Sequence, residues 1–95
     1  MAVAILIEIP GVTIDQIEAQ MAAMGTRENP PAGSILHLHG PTPDGVRVLE
    51  VWASQEAADA HYNSARFQQA TQNPTTPPQI TSWTFSQMSP GPALT

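Results

Sequence analysis

SILHLHGPTPDGVRVLEVW, residues 34–52, decides the fold. Ser34 to Gly40 alternates Ile35, His37 and His39 against Leu36 and Leu38. Val46 to Trp52 is rich in valine and ends on an aromatic ring. Between them, Pro41-Thr-Pro-Asp-Gly45 is a turn, and Asp44-Gly45 favours positive φ. Two strand-like runs around a short turn predict an antiparallel hairpin.

On the C-terminal side, Ser54 is an N-cap with Glu56 in the first turn. It starts a helix to about Gln72, where Asn73-Pro74 stops it. Thr75 to Pro78 is a proline-rich connector. Gln79 to Gln87 alternates Trp83 and Phe85 against Ile80, Ser82 and Thr84, which predicts a last strand. On the N-terminal side, Arg27 to Gly33 is a loop. Thr13 and Gln16 form a capping box, Ile14, Ile17, Met21 and Met24 recur at helical spacing, and Gly25 is a C-terminal stop, so residues 13–25 form a helix. Ala2 to Ile9 is a short apolar strand closed by Pro10-Gly11.

The order is βαββαβ, the ferredoxin-like α+β plan, with two helices on one face of a four-stranded antiparallel sheet. Residues 1–88 make one domain and 89–95 a flexible C-terminal tail. The strands are apolar on both faces: Val3, Ile5 and Ile7, Leu49 and Val51, and Trp83 and Phe85 cannot all face the helices together with their alternates. The second face is therefore expected to meet another sheet, that of a second copy, in a homodimer.

The chain has 95 residues, eight acidic side chains, three arginines, no lysine and a formal charge of −5. This composition argues against nucleic acid and an anionic membrane as partners. Without cysteine there is no disulfide, thiolate nucleophile or thiolate-bound metal. Met1 to Glu8 lacks a basic flank and no apolar run is long enough to span a bilayer, so a cytoplasmic protein is expected. Nucleotide, flavin and P-loop signatures are absent from the sequence.

Five residues are candidates for chemistry. His37 and His39, at i and i+2, share a strand face. The spacing suits a two-histidine metal clip completed by Glu50 or His61, but two rings satisfied by hydrogen bonds are the reading adopted, and no metal is expected. On the second helix Ala57, Ala60, His61, Ser64, Phe67 and Gln68 fall inward, with Asp59, Tyr62 and Arg66 opposite. The small inward residues leave room above the sheet, where a partly buried His61 is either a general base or a structural ring below Trp52. Trp52 is a core anchor or an aromatic wall for a flat ligand. Tyr62 reads as a surface or interface residue. Arg47 is solvated, or meets Glu50 or a ligand carboxylate.

The run Leu49 to Gln68, LEVWASQEAADAHYNSARFQ, resembles the antibiotic biosynthesis monooxygenase family. The matching residues are Glu50, Trp52, Ser54, Glu56 and Ala57, then Ala60-His61, then Ser64 and Phe67. The resemblance implies a dimeric α+β barrel, with a small-molecule pocket between sheet and helices in each subunit. It implies oxidation of an aromatic or polyketide-like phenol or quinol by dioxygen without cofactor, the substrate anion itself reducing oxygen. His61 or His37 is then the catalytic base, Trp52 a substrate-binding wall, and His39 and Arg47 position the substrate. The haem-degrading branch needs an axial histidine where this chain has about Thr71, and an asparagine in strand one, so haem is not expected. Two further readings stand beside the oxygenase: a non-catalytic metabolite-binding or dimerisation module, and a non-oxidative isomerase or cyclase.

Overall fold

Each helix begins on a side chain that can serve its free amides. In the computed structural model, which describes residues 1–71, 77–89 and 91–93, Thr13 accepts from the Gln16 amide while the Gln16 side chain accepts from the Thr13 amide. This box opens α1, Ile14–Met24, which ends where Gly25 adopts φ 66°. An L side chain rarely takes that conformation, and glycine does so without a Cβ penalty. Ser54 caps α2, Gln55–Tyr62, by accepting from the Ala57 amide.

The long second helix expected from the sequence is two. Ser64 donates to the His61 carbonyl at 2.6 Å and accepts from the Phe67 amide at 3.3 Å. It thereby ends α2 and opens α3, Ala65–Ala70. A serine offers both groups at once, and such local bonds compete with a continuous helix. The expected stop at Asn73-Pro74, and residues 72, 75 and 76, lie outside the described residues, as do residues 90, 94 and 95 of the expected tail.

The strands are β1, Val3–Pro10, β2, Ser34–Pro41, β3, Gly45–Trp52, and β4, Gln79–Thr84. They form one antiparallel sheet in the order β2-β3-β1-β4, as the ferredoxin-like plan requires. β4 ends at Thr84, short of the expected Gln87, because Thr84 already pairs with Val3, the first residue of β1. The hairpin closes through mutual backbone bonds of Thr42 and Gly45, at 2.8 and 3.3 Å. Gly45 does not use the positive φ expected of it. It is needed for closeness instead: a Cβ there would sit 2.2 Å from the Ile9 carbonyl oxygen.

Alternation divides the sheet. Val3, Ile5, Ile7 and Ile9 pair with Trp52, Glu50, Val48 and Val46 and face the helices. Under α2, Val3, Ile5 and Trp52 pack against Ala58. Under α1, Val46 and Val48 pack against Ile17, and Ile7 touches both groups. The fully buried alanine of α2 is Ala58, whereas Ala60 of the expected stripe is exposed. Burying each such Val or Ile side chain contributes about 1.5–3 kcal/mol. The other face carries Ala4, Leu6, Arg47, Leu49, Val51, Leu36, Leu38, Thr81 and Trp83. Among the described residues no helix is long and apolar enough to cross a membrane.

Candidate active site

Between α1 on one side and α2 and α3 on the other, a cleft of about 1080 Å³ opens over the helix-facing side of the sheet. Its walls are mostly apolar, with a few convergent polar groups, the usual make-up of a small-molecule site. Of the five sequence-predicted site residues, His37, His39, Trp52 and His61 line it. Arg47 does not. It lies on the opposite face of the sheet, where its Nε donates to Glu8 at 3.0 Å. The register sets this: Arg47 is opposite Glu8, while Glu50 is opposite Ile5 on the helix side.

Glu50, only 7% exposed, is the hub. His37 Nδ1 bonds one carboxylate oxygen at 3.2 Å. The other accepts from Trp52 Nε1 at 3.1 Å and from the Tyr62 hydroxyl. Burial alone would raise the Glu50 carboxyl, but the bonds from His37, Tyr62 and Trp52 outweigh it and leave its pKa below the ordinary value. Burial, and next the bond to Glu50, push the Tyr62 phenol above its ordinary value, so it remains a donor. Tyr62 is thus half-buried on the cleft wall rather than on the outer surface. It is the last residue of α2, and its long ring reaches past the helix end to Glu50. Arg66, also expected outside, turns inward beyond the helix break and donates to the Met24 and Asn29 carbonyls.

The histidines of β2 extend the network in series. His37 Nε2 lies 3.0 Å from His39 Nδ1, and His39 Nε2 lies 2.8 Å from Glu18 on α1. The bond with His39 is the main reason the Glu18 carboxyl is held below its ordinary pKa. The rings face one another instead of converging on a point. Among the described residues no three His, Asp or Glu side chains are grouped to hold a metal ion.

His61 is different. Its ring is 8% exposed and packs against Trp52 at 5.3 Å, Phe67 at 5.1 Å and Tyr62 at 5.6 Å between centroids. Among the described residues its Nδ1 is buried without a hydrogen-bond partner, and the residue lines the cleft. Burial holds its pKa below 6.5, only partly opposed by the Glu50 charge, so the ring is neutral near pH 7. Trp52, 2% exposed, is the anchor beneath it.

Sequence reasoning undervalued Glu50, misplaced Tyr62 and did not single out Glu18. The signal for Glu50 lay in the hairpin: counting outward from the Thr42–Gly45 pair puts His37 opposite Glu50. Nothing in the sequence pointed to Glu18, which arrives on another element.

Residues 33–73, which hold Glu50, Trp52, His61 and Phe67, match the family model of antibiotic biosynthesis monooxygenase. Over this stretch, 41 of the 95 residues, the chain is similar to that family. Solved structures share the fold along most of the length. Rv0793 from Mycobacterium tuberculosis is 19% identical, with a TM-score of 0.67 over 94% of this chain and 98% of that one. SnoaB, a cofactor-independent oxygenase from Streptomyces nogalater, is 14% identical, with a TM-score of 0.67 over 95% and 97%. A conserved protein from Methanosarcina mazei Go1 is 15% identical, with a TM-score of 0.64 over 87% and 91%. No relative is found among curated protein sequences.

Proposed function

We propose that the protein is a cofactor-independent monooxygenase acting on a small aromatic or polyketide-like phenol, as a homodimer. The single observation that carries the reading is His61: a neutral ring whose buried Nδ1 has no partner among the described residues, set in the wall of a large apolar cleft beside the Glu50 carboxylate. Apolar walls from α1 and β1 suit a flat ring system. His61 Nε2 takes the phenolic proton, and Glu50 favours the imidazolium that results. The electron-rich phenolate then reduces dioxygen. The two recombine at a ring carbon as a hydroperoxide, and loss of water leaves the quinone: one phenol and one dioxygen give one quinone and one water. The proton held by His61 returns to the departing oxygen. Trp52 is the rigid floor that fixes His61, and His39 contributes to the polar wall opposite.

The homodimer is supported by the second sheet face, where Leu6, Leu36, Leu38, Leu49 and Trp83 form an apolar surface. Leu38 and Trp83 remain 50% and 46% exposed in one chain. Face-to-face packing of two such sheets satisfies it.

Oxygen uptake on a panel of hydroxynaphthalenes and hydroxyanthrones tests the reading. The wild type is expected to consume oxygen and add one oxygen atom to the product, and His61→Ala to lose about 10²-fold or more in turnover. Equal turnover in His61→Ala removes His61 from the mechanism. Turnover without added mass makes the protein an isomerase or cyclase. Ligand binding without turnover makes it a metabolite-binding module.

A further inference from the structure

From Tyr62 to solvent the cleft is connected by an unbroken chain of hydrogen bonds. Tyr62 meets Glu50, Glu50 meets His37 at 3.2 Å, His37 meets His39 at 3.0 Å, and His39 meets Glu18 at 2.8 Å. The chain starts on a carboxylate buried in the cleft wall and ends on one whose side chain is 58% exposed. The proposed reaction uses the Glu50 charge and His39 as part of the polar wall, and gives the hydrogen bonds that join them no task.

A count of protons shows what the rest can do. Both carboxylates are acceptors when ionised, and both are held below their ordinary pKa. The bonds Glu50–His37, His37–His39 and His39–Glu18 each need one N–H. Two neutral imidazoles carry two. With all three bonds made at once, the pair holds a third proton and one positive charge. That charge has two positions, related by one proton crossing 3.0 Å: on His37 beside Glu50, or on His39 beside Glu18.

We propose that Glu50, His37, His39 and Glu18 form a proton relay that exports one proton to solvent each time His61 takes one from the substrate. The inference rests on the reading of His61 as the base. Initially His37 carries the charge, bonded to Glu50 by Nδ1–H and to His39 by Nε2–H, and the neutral His39 bonds Glu18 by Nε2–H. When His61 becomes an imidazolium it repels the charge on His37. The Nε2 proton of His37 passes to His39 Nδ1, and the Nε2 proton of His39 passes to Glu18 and on to water. One proton has entered at His61 and one has left at Glu18, so the charge on the cleft wall is unchanged. When His61 returns its proton to the departing water, the relay refills from solvent. The charged or titratable groups facing the histidine pair are Glu50 from β3, Glu18 from α1 and His61 and Tyr62 from α2, with Arg27 near Glu18. The three relay residues beyond Glu50 are positioning residues.

Two measurements decide it. In ¹⁵N NMR of the free wild-type protein at pH 7, the four ring nitrogens of His37 and His39 are expected to show three protonated positions. Two protonated positions overturn the relay. In steady-state turnover, Glu18→Gln alters only an exposed side chain. It is expected to lower kcat about 10-fold with KM unchanged, the modest end of what proton transfer contributes. The loss is expected to be restored as imidazole buffer is raised from millimolar concentration upward, while the wild type ignores the buffer. A Glu18→Gln enzyme with wild-type kcat, or with a kcat insensitive to imidazole, overturns the relay. If the wild type turns over no phenol at all, the proposed function falls, and the NMR count alone decides whether the pair carries the third proton.

Discussion

The two faces of the sheet come from alternate residues of the same strands, yet they follow opposite rules. The helix-facing side buries a carboxylate, and half-buries two histidines, among valines and isoleucines. The other side leaves leucines and a tryptophan half in water. Burial of Glu50 is tolerable because every direction around it holds a donor: His37, Trp52 and Tyr62. Exposure of Leu38 and Trp83 has no such local compensation. Polar satisfaction on one face is achieved inside the chain, and apolar satisfaction on the other is expected from a second copy.

The most damaging way to break this contrast is Glu50→Ala. It strands His37, Tyr62 and the Trp52 indole N–H together, and is expected to cost about 3–5 kcal/mol in urea unfolding. A loss below about 1 kcal/mol means the network is not a stabilising unit. Next is the apolar face. Leu49→Glu is expected to place a charge in the interface and convert a 20 kDa-class particle, about twice the 10.1 kDa chain, into a monomer in sedimentation, since a single buried unpaired charge outweighs the gain of one interface leucine. An unchanged sedimentation coefficient excludes this face as the contact.

Acid sharpens the comparison further, because the titrating groups lie on the helix side. His61 has a depressed pKa in the folded chain, so below about 6.5, its ordinary value, the unfolded chain binds the proton more readily and stability falls. Glu50 is also depressed. Its contribution is fully present above its ordinary 4.5 and is lost as pH falls through its lower folded value. Two successive losses are expected in urea midpoints between pH 7 and pH 3, with the lower one reduced in Glu50→Gln, where only Glu18 still titrates below its ordinary value. A Glu50→Gln profile parallel to the wild type through the lower window contradicts the assignment. The smallest effect belongs to Arg47→Ala. It removes an exposed ion pair with Glu8 and is expected to change stability by less than about 1 kcal/mol; a larger loss by thermal unfolding would give Arg47 a structural weight its surroundings do not show.

Element order and the cleft's histidines were legible because period and punctuation are local. Thr13, Gly25, Ser54 and the Pro-Asp-Gly turn each mark a boundary through chemistry of their own neighbourhood. The double duty of Ser64 was less visible, since a serine within an otherwise helical run reads as a surface residue until its hydroxyl is seen bonding in both directions. Treating residues 54–72 as one helix then sent Arg66 to the wrong side, and an inward stripe drawn through Ala57 and Ala60, where Ala58 and His61 are the buried pair, did the same for Tyr62. Glu18 is the deepest omission: its meeting with His39 joins residues 21 apart, and only the packing of α1 over the sheet creates it.

Arg66 binds two backbone carbonyls, one at the end of α1 and one in the following loop. Carbonyls do not ionise at any pH a folded protein meets, and a guanidinium does not give up its proton. The strap that sets the spacing between the helical walls is therefore indifferent to acidity, so the mouth of the cleft can hold its width while the groups beneath it trade protons.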